Sequence, residues 1–292
     1  GATLFTWAGD SPGDWFGFSV GGAGDVDGDG HADLIVGAPS DDDNGANCGA
    51  GGFGAGGLAV DNIYPTITLG LSVALQSDGK IVVGGQTAGK MSATRFCADG
   101  VLDAGGHCGP GFGLGGRVSL SAVDGRANAT RVQADGRILL VGVDNNGGNY
   151  DWVLARLCPS GNLDNGANCG GPGFGGGGMV TSNWGFGNDE AFDAALQADG
   201  KIVAVGWVGN YAAIDIGVAR YCPDGRLDNG VNCGAAGFGS GGRRQTNFAY
   251  TDDPRTVSLQ PDGKIIVAGA ANGSFLMARY QGGPVDLDGD GV

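Results

Sequence analysis

Short apolar segments recur along this chain, and most are bounded by an Asp-Gly or a Gly-Gly pair. Four of them, "KIVVGG", "RILLVG", "KIVAVG" and "KIIVAG", directly follow Asp-Gly. Short segments rich in β-branched residues and separated by turn residues predict β-strands. Asp-Gly between two apolar segments predicts a hairpin whose two central residues both adopt positive φ. Helical periodicity is almost absent, so the pattern predicts an all-β protein.

The same order of segments returns four times. The Gln of a Gln-x-Asp-Gly pattern recurs at spacings of 57, 64 and 63 residues, at Gln76, Gln133, Gln197 and Gln260. A "GFGxGG" pattern recurs with it, at Phe53, Phe112, Phe174 and Phe238. Each unit contains four short segments: one after the Gly-Gly, one ending at the Gln, one after the Asp-Gly, and one ending near an Arg. Four antiparallel strands in a repeated unit predict the blade of a β-propeller.

Six of the seven cysteines form pairs with a common separation of 11 residues. Zinc sites usually need two such residues within about two to four positions of each other, and that spacing is absent. We therefore predict local disulfides and an oxidising compartment. The predicted pairs are Cys97–Cys108, Cys158–Cys169 and Cys222–Cys233.

A second phasing of the cysteines is open. It joins Cys48–Cys97, Cys108–Cys158 and Cys169–Cys222, and it leaves Cys233 alone. The local pairing instead leaves Cys48 without a partner in the same chain, so Cys48 is then a free thiol or forms an intermolecular disulfide.

Charge narrows the range of partners. The chain of 292 residues has a net charge of −15 and only 16 Lys and Arg, which argues against nucleic acid and anionic membranes as partners. Acidity of this kind fits cation binding or an extracellular surface. No apolar run reaches the length of a transmembrane helix, so membrane insertion is not expected. The initial Gly-Ala is expected of a processed product or a fragment.

Two resemblances to known families follow from these motifs. Residues 53–281, with "QPDGKI" and "FGxGG", resemble delta-60 repeats, a family of secreted or surface bacterial proteins that implies little about activity. Residues 15–39, "WFGFSVGGAGDVDGDGHADLIVGAP", resemble the FG-GAP repeat of integrin α-chain propellers. The second resemblance implies a blade with a calcium loop between its first two strands.

The acidic run in the FG-GAP-like segment fits Ca²⁺, which takes six to eight oxygen ligands. Four carboxylates stand at positions 1, 3, 5 and 9 of the loop, and position 7 offers a backbone carbonyl; these residues are Asp25, Asp27, Asp29, Asp33 and His31. A second acidic run near the end of the sequence lacks the acid at position 9, so calcium there needs ligands from elsewhere. That run contains Asp286, Asp288 and Asp290.

Other recurring residues have structural or binding interpretations. An Asp in each Cys-containing segment is expected to form a turn; these are Asp103, Asp164 and Asp228. One Arg per repeat is expected to pair with an Asp of the neighbouring blade; these are Arg95, Arg156, Arg220 and Arg279. Four aromatic residues either line a ligand site or pack between blades; these are Trp152, Trp184, Trp207 and Tyr211.

The sequence thus predicts a single propeller over residues 1–281. One FG-GAP-like blade (15–52) and four delta-60 blades (53–281) make five, and residues 282–292 form an acidic tail that resembles a calcium loop. The segment "TLFTWA" is expected to close the ring as the missing strand of the last blade, because a ring sealed in this way has no exposed edge.

Enzyme chemistry finds little support in the sequence. Neither His31 nor His107 stands beside a nucleophile, Glu190 is the only glutamate, and no HExxH or GxSxG motif occurs. We therefore expect a non-enzymatic, extracellular structural or adhesive protein that uses Ca²⁺. Its expected partners are copies of itself, in a head-to-tail homopolymer joined through the acidic tail, or other components of the cell surface. The alternative is a secreted glycan- or protein-binding module.

Overall fold

The computed structural model describes residues 19–24, 33–37, 53–54, 58–61, 67–185, 187–210, 213–234, 237–248 and 251–282, with the backbone alone for the first two segments. These residues form sixteen β-strands and contain no α-helix, as the sequence predicts. Among them is no helix long and apolar enough to cross a membrane.

A hairpin lies at the start of the described chain. Strand β1 (Ser19–Gly24) pairs antiparallel with β2 (Asp33–Gly37), and the ladder has an irregularity near Gly22. The two strands flank the segment predicted to bind calcium, which agrees with the FG-GAP resemblance.

The other strands form four antiparallel meanders, numbered here as blades 1 to 4. Blade 1 has β3 (Thr68–Leu75), β4 (Ile81–Thr87), β5 (Lys90–Phe96) and the first part of β6 (Arg117–Val132). Blade 2 has the rest of β6, β7 (Ile138–Asn146), β8 (Asn149–Leu157) and β9 (Met179–Ser182). Blade 3 has β10 (Asn188–Leu196), β11 (Ile202–Asn210), β12 (Ala213–Tyr221) and β13 (Arg243–Thr246). Blade 4 has β14 (Asp252–Leu259), β15 (Ile265–Ala271) and β16 (Ser274–Tyr280).

Strand β6 links two blades without a break. Its first residues pair with β5, and residues from Gly125 to Val132 pair with β7. The sequence predicts two separate strands here, as the structure has at β9 and β10. The continuous strand makes the end of blade 1 the beginning of blade 2.

The blades pack face to face through three apolar cores. Because successive side chains on a strand point to opposite faces, the alternate residues of one strand enter two different cores. On β7, Leu139 and Val141 pack towards blade 3, whereas Ile138 and Leu140 pack towards blade 1. Both faces of the strand are therefore apolar, which explains the unbroken hydrophobic segments of the sequence. Blades 3 and 4 share the third core, which includes Val203, Val205, Ile216, Val218, Val267 and Ala278.

The hairpin at each Asp-Gly pair differs from the predicted turn. Gly79 has φ of 80°, but Asp78 is not among the described residues with positive φ. The Gln76 backbone N–H donates to Lys80 O at 2.8 Å and so closes a loop of three residues. The Asp78 carboxylate accepts a hydrogen bond from the Lys80 backbone N–H at 3.3 Å. The predicted two-residue turn was wrong here because the Asp side chain stabilises the longer loop. Two residues of positive φ occur instead at Ala88–Gly89, between β4 and β5.

Blade 4 has three strands among the described residues, and one of its faces is open to solvent. Phe275 and Met277 on β16 are 105% and 76% exposed. Their counterparts in the β-ladder of blade 3, Ile216 and Val218, are completely buried against blade 4. The segment "TLFTWA", predicted to complete this blade, lies outside the described residues.

Candidate functional site

The predicted calcium ligands lie almost wholly outside the described residues. Asp33 is the first residue of β2, where the structure gives the backbone alone. The others outside are Asp25, Asp27, Asp29, His31, Asp286, Asp288, Asp290 and, among the cysteines, Cys48. Calcium binding at both acidic runs remains a prediction.

Each of three loops between the third and fourth strands of a blade is closed by a disulfide. The bonds join Cys97–Cys108, Cys158–Cys169 and Cys222–Cys233, with Cα–Cα distances of 5.9, 5.3 and 5.6 Å. This is the local pairing, so the second phasing is excluded for these six residues. We call the segments 97–108, 158–169 and 222–233 the Cys loops.

A buried ion pair lies under every Cys loop. Arg95 donates through Nε to Asp103 Oδ2 at 2.7 Å, and the same bond at 2.7 Å recurs in the next two loops, at Arg156–Asp164 and Arg220–Asp228. The three carboxylates are fully buried. The prediction that these arginines pair with an Asp of the neighbouring blade was wrong. Because Asp103 N–H also donates to Arg95 O, the loop folds back onto its own strand and brings its own Asp to the guanidinium.

The same arginines do reach the next blade, but they bond to a backbone carbonyl. Arg95 donates to Pro159 O and Arg156 donates to Pro223 O, in each case in the Cys loop of the following blade. Arg220 donates in the same way to Gly282 O. Each guanidinium also lies over the ring of the Phe in its own GFG motif, with centroid distances of 4.7, 4.7 and 5.2 Å.

A second contact joins successive loops through glycines. Gly113 N–H, in the GFG motif of blade 1, donates to Ser160 O of the next Cys loop at 2.7 Å. Gly161 follows with φ of 90°, and a Cβ there would lie 2.6 Å from Gly113 N. Glycine is thus required at this approach both by the backbone conformation and by the space. The contact recurs at Gly54–Asp99 and Gly175–Asp224.

The Cys loops form one chain of contacts from blade to blade, which we call the Cys-loop belt. In each loop the Asp carboxylate and the two sulfurs lie within 4.8 Å of one another. The sulfurs are engaged in disulfides and are not thiolates, the form that binds metals. The geometry therefore serves to fix the blades together.

Glu190, the only glutamate of the sequence, connects blades 2 and 3 through hydrogen bonds. Its Oε1 accepts from Arg126 and, at 2.9 Å, from the Asn128 amide. On the same strand, Asp193 pairs with Arg131 and also accepts the Val257 N–H of blade 4 at 2.9 Å. These carboxylates hold neighbouring blades together.

Three aspartates near one end of blades 2 and 3 have raised pKa values. Asp144 and Asp151 are opposite each other in the β7–β8 ladder. Burial raises the pKa of Asp151, and the Asp144 charge adds to the effect. Burial also raises the pKa of Asp189, although its carboxylate accepts the Gly209 and Trp184 N–H groups. Burial likewise raises the pKa of Asp144.

The aromatic candidates that the structure describes are buried or half-buried. Trp152 is completely buried, and its Nε1–H donates to Trp207 O at 3.3 Å. Trp152 packs in the core between blades 2 and 3, and Trp207 is also buried. Trp184 is half-buried against the same core, and Tyr211 lies outside the described residues.

Sequence reasoning missed the part played by Asn183, Trp184 and Arg243 together. The sequence marks Trp184 only as an aromatic candidate, and it gives no functional signal for Arg243. Arg243 Nη1 donates to Asn183 O at 2.8 Å, and its guanidinium lies 5.0 Å from the Trp184 ring centre. Trp184 lies in the connection between β9 and β10, whereas Arg243 is the first residue of β13. No sequence pattern links these two residues.

Two sequence families match this chain. The family described as "Domain of unknown function (DUF5122) beta-propeller" matches residues 76–105, 133–166, 197–230 and 260–281. The FG-GAP repeat matches residues 16–58. No curated protein matches the chain.

Several solved structures are similar at low identity. A gluconolactonase from Xanthomonas campestris is 14% identical, with 73% of this chain and 62% of that one covered and a TM-score of 0.37. A virginiamycin B lyase from Staphylococcus aureus, with quinupristin, is 11% identical, with coverages of 79% and 60% and a TM-score of 0.36. An aldose sugar dehydrogenase from Streptomyces coelicolor is 14% identical, with coverages of 76% and 81% and a TM-score of 0.34.

The matched part of this chain spans 62% and 60% of the first two structures. At these identities and TM-scores, nothing about activity is transferred from these enzymes. The repeats found from the sequence coincide with the matched segments. The chain carries four DUF5122 β-propeller repeats preceded by one FG-GAP repeat.

Proposed function

We propose that this protein is a non-enzymatic, extracellular structural or adhesive protein that assembles with copies of itself into a filament stabilised by Ca²⁺. The observation that carries the proposal is the Cys-loop belt. Every loop of the belt is closed by a disulfide, and Arg95, Arg156 and Arg220 each bind a backbone carbonyl that follows in the next repeat.

The belt suits a protein that must endure outside the cell. Disulfides persist in oxidising compartments, so three of them in loops of one design support an extracellular location. A disulfide that closes a loop of this length stabilises the fold by about 3 kcal/mol in the chain-entropy model. The FG-GAP repeat supports calcium as a further stabilising ligand, since the oxygen-rich Asp25–Asp33 loop has the ligand type that Ca²⁺ prefers.

Self-assembly is proposed through the acidic run near residue 288. This run has three carboxylates in a calcium-loop spacing and lacks the acid at position 9. A neighbouring copy can supply the missing oxygen ligands. Such a head-to-tail contact builds a filament when its rotation does not close a ring.

Negative-stain microscopy of the oxidised full chain in millimolar calcium tests this proposal. We expect filaments in wild type and their loss on chelation or in Asp288→Ala. Asp262→Ala is the matched control, because Asp262 is an exposed acid in a hairpin turn, and it should leave the filaments unchanged. Monodisperse monomers of wild type in calcium, or filaments that persist in Asp288→Ala, would contradict the proposal.

A further inference from the structure

Arg279 on β16 is the fourth of the repeated arginines, and its surroundings differ from those of the other three. It faces Ile266 in the ladder of blade 4, as Arg220 faces Val203 in blade 3, so the two arginines hold equivalent positions on equivalent strands. Arg220 is 2% exposed and bonds to Asp228, whereas Arg279 is exposed and forms no ion pair with any other described residue. Within the described part of the chain, Arg279 therefore lacks the carboxylate that its equivalents bind.

The chain after β16 enters the Cys-loop belt in the same way as a Cys loop does. Arg156 donates to Pro223 O, the carbonyl of the residue that follows the first Cys of its loop. Arg220 donates in the same way to Gly282 O. Gly282 follows Gln281, which stands where the other loops have their first Cys. The backbone at Gly282 is thus positioned as the start of a fourth loop, one without a cysteine.

The sequence beyond Gly282 carries the acid that such a loop needs. In each Cys loop the Asp of the ion pair directly follows a Leu, and this Leu forms an isolated β-bridge with the residue after the arginine. These pairs are Leu102–Asp103, Leu163–Asp164 and Leu227–Asp228. The same pair recurs at Leu287–Asp288, outside the described residues. Asp288 follows Arg279 at a separation one residue longer than the 8 of the three Cys loops, so the fourth loop has one additional residue.

The charges at this end of blade 4 also favour an acidic segment. In blade 3, Asp228 has a second cation, because Lys201 Nζ lies 3.5 Å from Oδ2 in addition to Arg220. Lys201 follows the Asp-Gly pair of its blade, and Lys264 holds the same place in blade 4. Each of these lysines also pairs with the acid of its own turn. Arg279 and Lys264 thus offer two cations to an acidic run that contains three carboxylates.

We propose that Arg279 binds the Asp288 carboxylate of the same chain, so that residues 283–292 dock on blade 4 as a fourth, cysteine-free loop of the Cys-loop belt. The occupant is the chain's own tail, because Gly282 is held at the start of this loop a few residues before Asp288. The guanidinium donates charge-assisted hydrogen bonds to the carboxylate, as in the other three pairs. This ion pair forms without calcium and is independent of filament formation. Where calcium binds the acidic run, as proposed above, it competes with Arg279 for the same carboxylate.

Urea unfolding of the oxidised full chain in the presence of a calcium chelator tests the pairing by a double-mutant cycle. Asp288→Asn should raise the ratio of unfolded to folded protein about tenfold, the effect of one lost hydrogen bond between charged groups. In an Arg279→Gln background the same substitution should have almost no effect, because the partner is already absent. Asp286→Asn is the matched control, since Asp286 lies in the same acidic run but does not follow a Leu. Its effect should be the same in both backgrounds.

A second measurement observes the arginine itself in the folded protein. The Arg279 Nε–H signal in the ¹H–¹⁵N spectrum is identified by its loss in Arg279→Gln. In chelator, we expect this signal to shift in Asp288→Asn and to stay in place in Asp286→Asn. If Asp288→Asn leaves the signal in place, or if it destabilises wild type and Arg279→Gln equally, the proposal is overturned and the acidic run does not dock through Arg279. The microscopy in calcium reports separately on filament formation.

Discussion

At the scale of single residues, the three Arg–Asp pairs under the Cys loops are alike in geometry but differ in their surroundings. Asp103 forms its ion pair with Arg95 alone among the described residues. Asp164 has a second cation, because Arg137 Nε lies 3.0 Å from it in addition to Arg156. Removing one partner of a buried ion pair leaves an uncompensated charge, at a cost of about 3–5 kcal/mol.

We therefore predict that Arg95→Gln lowers the free energy of unfolding by about 3–5 kcal/mol. Arg156→Gln should lower it by less, since Arg137 still neutralises Asp164. Urea unfolding of the two variants, followed by tryptophan fluorescence, measures the difference. If both variants lose the same free energy of unfolding, an uncompensated Asp charge is not the cause of the loss.

Asp151 predicts a pH dependence of stability. Burial raises its pKa above the ordinary 3.8, so the folded state holds the proton more tightly than the unfolded state does. The stabilising effect of protonation is complete below the unfolded pKa and is lost as the pH rises through the folded pKa. At neutral pH the charged group therefore destabilises the fold.

Asp151→Asn should thus raise the melting temperature at neutral pH, and the gain should shrink as the pH falls through the pKa of Asp151. Asp262→Asn provides a control of opposite sign, because hydrogen bonds from Lys264 lower the pKa of Asp262. It should lower the melting temperature slightly at neutral pH. Calorimetric scans between pH 3 and 8 measure the melting temperature of both variants. A lower melting temperature of Asp151→Asn than of wild type at neutral pH would contradict the prediction for Asp151.

At the scale of the elements, the Cys loops connect the third strand of a blade to its fourth. Replacing both Cys158 and Cys169 by Ser should lower the free energy of unfolding by about 3 kcal/mol, since it removes one closed loop from the unfolded chain. Cys48→Ser should have no comparable effect, because no partner is predicted for Cys48 within the same copy. Chemical unfolding under oxidising conditions compares the variants; equal stabilities would contradict a stabilising role for the loop disulfide.

The β1–β2 hairpin carries the predicted calcium loop. Calcium that binds only the folded state stabilises it by about 2.7 kcal/mol at a hundredfold excess over the dissociation constant. Asp27→Ala should therefore lower the melting temperature in calcium, and chelation should bring wild type and variant to the same value. If chelation leaves the wild-type melting temperature unchanged, calcium does not stabilise this hairpin.

The strands were predictable because both of their faces are apolar and their ends carry turn residues. Their pairing into blades followed from the repeated order of motifs, and the disulfides followed from the repeated Cys spacing. The partner of Arg95 was not predictable, because spacing along the chain does not show that a loop folds back onto its own strand. The contact between Trp184 and Arg243 also required the structure, since the two residues come from separate segments.

At the scale of the whole molecule, the exposed face of blade 4 bears on the predicted closure of the propeller ring. Phe275 and Met277 occupy the ladder positions of Ile216 and Val218, which are buried by the next blade. By this repeat equivalence, we expect the FG-GAP-like blade to cover them. The described part of blade 4 also has three strands where blades 2 and 3 have four, and "TLFTWA" is the predicted fourth.

Ring closure is tested most directly by hydrogen exchange at β16 in the monomeric protein. If residues 3–8 pair with β16, the N–H groups of Ser274–Tyr280 that point away from β15 should exchange slowly in the full chain and rapidly after deletion of residues 1–8. The N–H groups of β12 that face β13 should stay protected in both proteins. Rapid exchange of the outward N–H groups of β16 in the full chain, equal to that in the truncated one, would contradict closure by the N-terminal strand.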